Sequence, residues 1–546
     1  GDGKPNTEDD CPRVPNESTD CPVDSDGDGV PDAEDNCESV PNPDQEVKDG
    51  NPVACTDTDL DGIYDGRDNC PGIPNPRQVD RDDWLFSPDM APGDVCDTLF
   101  ELHRFQLGDL YRVWMGTANF RLGSRMTYAG DVNGDGFDDL MVSSPLVDAG
   151  VVKLLYGPFE LGLGGKSVTN ADVTFVYADP VAQGGSRLGH ALAHLGDVNG
   201  DGLDDIAFSA SEHPDSGRVY IFYGQQGREG DVLVSDADVI ISDATAVGFG
   251  DDVSAPGDFT GDGTVDLIVK ESGVDSQPTW YFFAGELIFG GSSTLDATDA
   301  QFARDVQAFP EWQDPTFALA DFDGDDVSDW FVANPDGASG DGTITIYPGN
   351  ADPVLQLQPG GVSTLTGDTN ADRLGSGFAL FTDPAAPNRV NFATSSAGVL
   401  NNTTSLGAVS LYSVAQSGVA TRQVDLEADN SVAHDGRVRA VQDLSYPGSV
   451  DFLVASRTSD KVVVTLFYGD DVLGNDGADT AGRRFLLRDD TASPVSVASN
   501  VIARGDWTGD GYPDLLLAAE GAAGPNSETG AGIIWMWPNV WHEDLR

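Results

Sequence analysis

Short apolar runs alternate with acidic, glycine-rich loops along most of the chain. In residues 188–224, "LGHALAHLGD" leads into an acidic loop, "LDDIAFSAS" follows, and "GRVYIFYG" comes after a turn. Apolar runs of this length, rich in Val, Ile, Phe and Tyr and bounded by Gly, Asp and Pro, are typical of β-strands. Because the 3.6-residue period of helical solenoids is absent, the pattern predicts an all-β protein.

The acidic loops recur at a regular distance. One Asp at the start of each loop serves as a marker, and these markers define seven repeats of about 62 residues that start near residue 118. They are Asp131, Asp197, Asp258, Asp321, Asp383, Asp443 and Asp506. About four strands per unit, repeated seven times, indicate a seven-bladed β-propeller, since the rungs of a parallel β-helix are shorter. We therefore expect residues 98–546 to form one propeller domain.

The two ends of this region predict how the propeller closes. After "GIIWMWP" (532–538) only eight residues remain, too few for a fourth strand. Upstream of the first loop, "LYRVWMGTANFRLG" (110–123) stands where other units have their last strand. We therefore expect an N-terminal strand at about 110–115 to complete the last blade and cover its open edge.

The first 97 residues have a different pattern, with few apolar positions. "DSDGDGVPDAEDNC" (24–37) and "DTDLDGIYDGRDNC" (57–70) place carboxylates at positions 1, 3, 5, 9 and 12, Gly at position 6 and Cys at position 14. Alternate carboxylates before a glycine turn let one loop wrap a hard cation that takes six to eight oxygens. A solvated acidic linker, the alternative, would not keep this frame.

All six cysteines lie in this segment: Cys11, Cys21, Cys37, Cys55, Cys70 and Cys96. An even number in a segment with little core indicates three disulfides and an oxidising compartment. Zinc is the alternative, but Cys-x-x-Cys pairs and nearby His ligands are missing.

Residues 1 to about 97 resemble the thrombospondin type 3 repeat, through these two motifs and the connecting "PNPDQ" (41–45) and "PNPRQ" (74–78). The resemblance implies an irregular segment built on calcium, and pairing of successive cysteines (11 with 21, 37 with 55, 70 with 96), where six cysteines alone allow fifteen connectivities. Residues 2–11 fit only positions 5–14 of the frame, so we expect the natural chain to extend upstream. The implied ligands are Asp24, Asp26, Asp28, Asp32, Asp35, Asp57, Asp59, Asp61, Asp65 and Asp68.

The propeller loops predict a second set of cation sites. In "DVNGDGFDD" (131–139), side chains at positions 1, 3, 5 and 9 and the main-chain carbonyl at position 7 offer oxygens. Clustered carboxylates repel unless a cation neutralises them, and a flexible oxygen cage suits Ca²⁺ better than Mg²⁺. Plain Asx turns are the alternative. The five predicted sites are Asp131, Asn133, Asp135, Phe137, Asp139; Asp197, Asn199, Asp201, Leu203, Asp205; Asp258, Thr260, Asp262, Thr264, Asp266; Asp321, Asp323, Asp325, Val327, Asp329; and Asp506, Thr508, Asp510, Tyr512, Asp514.

Not every unit has such a loop. The fourth has Asp326 where the others have Gly at position 6. The fifth, "DPAAPNRVN" (383–391), and the sixth, "DLSYPGSVD" (443–451), are short of oxygen ligands, and we expect those blades to be metal-free.

Further motifs accompany the loops. "LG" or "FG" begins at 122, 188, 249 and 374, nine positions before the marker Asp; "SSP" (143–145) or "ANP" (333–335) follows, and then "YG" at 156 and 223. The region resembles the FG-GAP repeat of integrin α-chain propellers. The resemblance spans about 430 residues and is strong in units one, two, three and seven. It implies that the calcium ions are structural and that a partner molecule binds across one face of the propeller.

Charge narrows the partners. With 29 Lys and Arg against 92 Asp and Glu, the net charge of −63 argues against nucleic acid and anionic membranes and favours cations. No run approaches the 18 or so apolar residues of a membrane helix, so we expect no membrane insertion in this segment. The disulfides favour an extracellular or cell-surface location.

Three functions fit these patterns. The first is a secreted or surface-exposed binding protein that recognises a protein or glycan. Trp280, Trp312 and Trp507 are weak contact candidates, with packing between blades as the alternative for most of them. The second is a structural component of an extracellular coat or filament that binds copies of itself. The third is an enzyme that cleaves polysaccharides or phosphodiesters, for which no catalytic motif is found. His190 and His194 could face a central channel, although a packed or solvated pair is the simpler interpretation.

Overall fold

The computed structural model describes a short hairpin, Val47–Lys48 with Asn51–Pro52, and residues 111–537 with gaps. The chain divides into two compact units, Gly1–Glu101 with His542–Arg546 and Leu102–Trp541, and each is described by itself. The predicted thrombospondin-type loops and disulfides lie outside the described residues. The gaps within 111–537 are 118, 160–164, 180–183, 244–247, 274–277, 292, 306–314, 326, 338–339, 351–356, 358–360, 368–372, 384–385, 397–407, 427–436, 443–449, 458–461, 468–482, 488–499, 503–504, 510–513 and 520–530.

The all-β prediction is confirmed. The described part of the larger unit contains seven sheets with four antiparallel strands each. Their strands, in pairing order, are Arg125–Gly130, Asp139–Ser143, Val152–Leu155 and Val173–Val176 (sheet 1); Leu188–Gly196, Asp205–Ala210, Arg218–Phe222 and Val239–Ser242 (sheet 2); Phe249–Gly257, Asp266–Glu271, Thr279–Phe283 and Phe302–Asp305 (sheet 3); Thr316–Ala320, Asp329–Asn334, Thr343–Tyr347 and Ser363–Thr366 (sheet 4); Leu374–Asp383, Ala386–Ser396, Ala408–Val414 and Ala420–Leu426 (sheet 5); Arg437–Gln442, Val450–Arg457, Val462–Phe467 and Arg483–Leu487 (sheet 6); and Asn500–Ile502, Leu515–Ala519, Ile533–Trp537 and Tyr111–Met115 (sheet 7).

Three sheets gain a short fifth strand, which comes from the connection between the third and fourth strands of the next sheet around. Lys166–Ser167 pairs in parallel with sheet 7, Gly230–Leu233 with sheet 1 and Thr294–Asp296 with sheet 2. These edge segments satisfy backbone groups that the fourth strand would otherwise expose. Each continues into one 3₁₀ turn with a buried first residue: Val168–Asn170, Val234–Asp236 and Ala297–Asp299. A short α-helix, Gly285–Phe289, follows the third strand of sheet 3.

Successive sheets meet through the "LG" motif. The Leu188 N–H of sheet 2 donates to the Ala149 carbonyl of sheet 1 at 2.9 Å. Gly150 has φ +86°, and a Cβ there would overlap the Leu188 backbone. Leu374 N–H donates to the Asp341 carbonyl at 3.0 Å, so sheets 4 and 5 meet in the same way.

The last and first sheets make this contact too. The Leu122 N–H, just before sheet 1, donates to the Ala531 carbonyl of sheet 7 at 3.0 Å. Tyr111–Met115 pairs antiparallel with Ile533–Trp537. It is the strand that the sequence predicts for this place, and it ties residues near the start of the unit to its end.

The apolar core lies between neighbouring sheets. Phe175 of sheet 1 contacts Phe208 of sheet 2 with ring centroids 5.0 Å apart, and Phe282 of sheet 3 contacts Trp330 of sheet 4 at 5.6 Å. Burial of such rings supplies much of the stabilisation between sheets. Trp280 and Trp507 are 2% and 0% exposed. As contact candidates they are therefore wrong, because the core needs their apolar area; Trp312 lies outside the described residues.

Acidic loops as candidate calcium sites

Each acidic loop connects the first and second strands of its sheet and is folded by its first Asp. Asp131 accepts hydrogen bonds from the backbone N–H groups of Gly134, Asp135 and Gly136 at 2.7, 3.1 and 2.9 Å. Asp197 accepts three equivalent bonds at 2.7, 3.0 and 2.8 Å in the second loop. Glycines at positions 4 and 6 allow this turn, since all four in these two loops have positive φ.

The ninth-position Asp is the buried anchor of each loop. Asp139 accepts from the Val132 N–H at 2.9 Å and from the Gly157 N–H at 3.1 Å. Gly157 is the glycine of the "YG" motif, so one carboxylate joins the loop to the end of the third strand. The equivalent residues are at most 1% exposed: Asp139, Asp205, Asp266, Asp329 and Asp514.

Burial makes the charged form of these carboxylates costly. It raises the pKa of Asp139 to about 8, against the N–H bonds from Gly157 and Val132 that lower it. It raises the pKa of Asp205, Asp266 and Asp329 to about 6 in the same way. A neighbouring cation would favour the ionised form and remove this cost.

The third and fourth loops gather their carboxylates most closely. Asp258, Asp262 and Asp266 each offer an oxygen, and these atoms lie within 4.8 Å of one another; Asp321, Asp323 and Asp325 form the second such group. Thr260, at position 3 of the third loop, donates its hydroxyl to Asp258 at 3.4 Å. An all-oxygen set of this kind suits a hard cation.

The first two loops carry Asn at position 3, and its amide is used within the loop. Asn133 Oδ1 accepts from the Asp135 N–H at 2.8 Å, while its Nδ2 donates to Asp135 Oδ2 at 2.9 Å. Asn199 repeats both bonds with Asp201 at 2.8 and 3.0 Å. Positions 3 and 5 are thus brought together, and their role as calcium ligands stays a prediction.

Position 7 has a packing role that the sequence frame does not reveal. A Cβ on Gly134, at position 4 of the first loop, would lie 2.7 Å from Leu203 of the second. A Cβ on Gly509 of the last loop would overlap Phe137 of the first. The position-7 side chain therefore rests on the preceding loop's glycine, and its carbonyl as a ligand stays a prediction, as it does for Thr264 and Val327.

Position 8 links neighbouring loops in the same direction. Asp204 accepts from the Asp131 N–H at 2.8 Å, and Asp138 accepts from the Asp506 N–H at 2.7 Å. The signal is the doublet "DD", present in the first two loops and replaced by Val265 and Ser328 in the next two. The last, first and second loops are joined in series by these bonds.

The remaining predicted positions are partly described. In the last loop, Asp506 accepts from the Gly509 N–H at 2.6 Å, and Asp514 accepts from the N–H groups of Trp507 and Thr508, both at 2.9 Å. Asp510, Tyr512 and Asp326 lie outside the described residues. In sheet 5 only two residues separate Asp383 from the next strand, so no acidic loop forms there.

The two histidines are each bonded to a carboxylate. Both lie on one face of the strand Leu188–Gly196, where His190 Nε2 lies 3.2 Å from Asp251 and His194 Nε2 lies 3.1 Å from Asp204. Their separate partners are those of packed polar residues rather than of a joint acid–base pair. None of the helices in the described residues has the length and apolarity to cross a bilayer.

Comparison with known proteins agrees with both resemblances. The FG-GAP repeat matches residues 127–155 and 188–222, and the thrombospondin type 3 repeat matches 20–45 and 53–78. Among solved structures, the WD40 domain of a coronin from Toxoplasma gondii aligns over 77% of this chain and 84% of its own, with 10% identity and a TM-score of 0.43.

Among curated proteins, similarity is found to integrin α subunits. Integrin alpha-X of Mus musculus is 34% identical over 143 residues, 25% of this chain and 11% of its own length. Integrin alpha-IIb of Homo sapiens is 34% identical over 164 residues, 27% of this chain and 14% of its own. The matches thus span a small part of these relatives. The chain contains FG-GAP repeats and thrombospondin type 3 repeats, two families of calcium-binding repeats, and its FG-GAP region is similar to that of integrin α subunits.

Proposed function

We propose that the protein is an extracellular, calcium-binding recognition protein that binds a protein or glycan ligand and has no catalytic activity. In this proposal residues 98–546 are a closed seven-bladed β-propeller with five structural calcium ions. Residues 1–97 are a disulfide-bonded segment with several more. The similarity to integrin α subunits supports a role in adhesion or binding.

One observation carries the calcium part: the same buried carboxylate recurs in five loops. Asp205 is 0% exposed, and its pKa is raised by burial although two N–H groups bind it. A plain Asx turn needs only the first Asp of the loop. The ninth Asp anchors the loop to the third strand, but that role alone leaves its ionised form costly. A bound cation accounts for the recurring acidic frame and for the buried ninth carboxylate. It stabilises the ionised form of that carboxylate and gains oxygen ligands from positions 1, 3 and 5.

The contacts between sheets support the closed propeller. The first strands of sheets 1 to 6 contact one another in chain order, and the first strand of sheet 7 contacts that of sheet 1. This order is the one expected of a ring, and in the proposal a contact between sheets 6 and 7 completes the closure. The strand Tyr111–Met115, the clasp strand, belongs to sheet 7 of the same ring. Calcium at sheets 7, 1 and 2 would therefore stabilise the region where the first and last strands of the propeller pair.

The test combines stability, size and ligand capture. We expect chelation to lower the thermal midpoint of the purified chain by roughly 10 °C or more, since ions bound only by the folded state stabilise it by mass action. Light scattering should give a monomer in millimolar calcium. A panel of immobilised extracellular proteins and glycans should then yield a ligand whose binding is lost in chelator.

Three results would contradict the proposal. An unchanged thermal midpoint on chelation would show that the acidic loops hold no structural calcium. Assembly driven by calcium would favour the coat or filament. A calcium-loaded monomer that turns over polysaccharide or phosphodiester substrates would make the protein an enzyme.

A further inference from the structure

A cavity of about 320 Å³ opens where the first strands of sheets 1 and 2 begin, at the end away from the acidic loops. Its eight lining residues include Arg121, Arg125, Arg187 and His190, and none is Asp or Glu. In a chain with 92 acidic and 29 basic residues this is a local excess of basic side chains, although Arg187 and His190 are bonded to Glu212 and Asp251 outside the lining. Such a cavity attracts anions locally within a molecule that repels them at long range.

Two of these arginines are held in an unfavourable backbone conformation. Arg121 and Arg187 have φ of +54° and +55°, and each precedes the "LG" motif of its sheet. The equivalent residue of sheet 3 is Gly248, which adopts φ +88° without steric cost. A left-handed residue other than Gly costs about 1–2 kcal/mol. Because Arg373, before the "LG" of sheet 5, adopts the same conformation, the positive φ belongs to the repeat, and it fixes the place of both arginines in the fold.

The cavity is fixed by bonds between the segments that line it. Ser124 donates its hydroxyl to the Ser143 carbonyl at 3.2 Å, and Ser144 donates to the Phe120 carbonyl. Ser143 donates to the Gly189 carbonyl of sheet 2 at 2.7 Å and so joins the two sheets beside the cavity. A ligand would therefore lose little free energy in ordering the protein.

The cations differ in their existing partners. Arg187 Nε lies 3.2 Å from Glu212, and both side chains are at least a third exposed, so an incoming anion can compete with this pair. Arg125 is exposed and forms no ion pair with any residue that the structure describes. Arg125 is therefore the side chain whose charge is most available to a ligand.

Two apolar residues also line the cavity, beside the basic side chains. Leu146 is 62% exposed and follows the buried Pro145. The lining has no Phe, Tyr or Trp against which a sugar ring could stack. A flat guanidinium matches the two oxygens of a carboxylate, and an adjacent leucine suits an apolar side chain.

We propose that this cavity binds carboxylate side chains of an acidic peptide segment on a protein partner. The inference rests on the proposed recognition function and specifies the chemistry of its ligand. The volume is at the lower end for ligand pockets, which suits one or two side chains of a segment rather than a globular surface. The contact pairs an arginine with a carboxylate and a neighbouring residue with Leu146.

Fluorescence anisotropy of labelled hexaglutamate, titrated with the full chain in millimolar calcium, tests this. We expect saturable binding that Arg125→Gln weakens by about tenfold, the usual order for losing a charged hydrogen-bonded pair. Arg125→Lys should weaken it less, because charge remains while the planar fork is lost. Arg373→Gln is the control for removing an arginine elsewhere in the propeller: Arg373 takes the place of Arg121 and Arg187 before "LG", with φ +51°, and lies outside the cavity.

The inference is overturned if hexaglutamate does not bind, or if Arg125→Gln and Arg373→Gln bind it equally. The latter result would mean that calcium bridges the peptide to acidic loops. Arg125-dependent binding of hexagalacturonate without hexaglutamate would assign a glycan instead. A dimer that hexaglutamate dissociates would assign the acidic segment to a second copy. If a ligand found in the panel of extracellular proteins and glycans still binds the Arg125→Gln variant, the recognition function stands and only the role of this cavity is rejected.

Discussion

Sheets 1 and 5 meet their predecessors in the same way but differ in the connection between their first two strands. Sheet 1 has the nine-residue acidic loop Asp131–Asp139, whereas in sheet 5 two residues separate the strands that end at Asp383 and begin at Ala386. The "LG" contact is present at both, through Leu122 and Leu374. Contact between sheets therefore does not need an acidic loop, which is a separate local device added to some sheets.

Breaking the shared contact should have the largest effect. Gly150→Ala places a Cβ into the Leu188 backbone at φ +86°, and we expect a loss of about 3 kcal/mol in unfolding free energy. Gly342→Ala, at the contact of sheets 4 and 5, should cost as much although sheet 5 has no acidic loop. The measurement is urea unfolding in calcium.

Gly185→Ala is the control for this pair. Gly185 also has φ +86°, but nothing lies within 4 Å of the added Cβ, so only the backbone cost of about 1 kcal/mol applies. Equal losses at positions 185 and 150 would show that the overlap with Leu188 is unimportant.

Breaking an acidic loop should rank second. Asp205→Asn turns an N–H donor of the new amide toward the Val198 or Gly224 N–H, and removes a charge that a cation would use. We expect a loss of about 2–3 kcal/mol in calcium, measured by the same unfolding curves, and a smaller effect of chelation. Asp236→Asn, on an exposed residue, should change neither quantity; a similar loss in both variants would refute the anchoring role.

pH should sharpen the difference between sheets with and without loops. The folded pKa values of Asp139, about 8, and Asp205, about 6, lie above that of an unfolded Asp. Without calcium, these groups favour the fold at low pH, and this contribution is lost as pH rises from about 4 toward 8. Calcium replaces the proton, so the gap between calcium and chelator midpoints should widen over this range by roughly 5 °C. A gap that narrows with pH would contradict it.

The link between loops should give the smallest effect. Asp138→Asn weakens the acceptor for the Asp506 N–H and the Tyr128 hydroxyl, and we expect about 1 kcal/mol of lost stability. Tyr128→Phe removes only the second bond and separates the two contributions. Calorimetric calcium titration should show weaker binding to the last and first loops in Asp138→Asn; unchanged titration in this variant would leave the link purely structural.

The difference between local and distant partners explains what the sequence could predict. The frame of Asp131 and Asp139 is visible because all of its members lie within nine residues. The partner of Asp138, in contrast, is the Asp506 backbone, 368 positions away, and no spacing within the loop indicates it. The edge segment Lys166–Ser167 is two residues of ordinary composition, and its pairing with Trp114 depends on where the fold brings sheet 7. For the same reason the sequence leaves open whether Trp280 and Trp507 pack between blades or contact a ligand, since burial is decided between sheets.

The clasp strand has a consequence for biosynthesis. Tyr111–Met115 must pair with Ile533–Trp537, so at a translation rate of about 5–20 residues per second it is made roughly 20–80 s before its partner. Lys166–Ser167 pairs with the other edge of that strand and, at the same rate, is made roughly 3–11 s after it. The growing chain can thus keep this strand partly covered while the strands between are made, and sheet 7 is the last of the seven sheets to be completed.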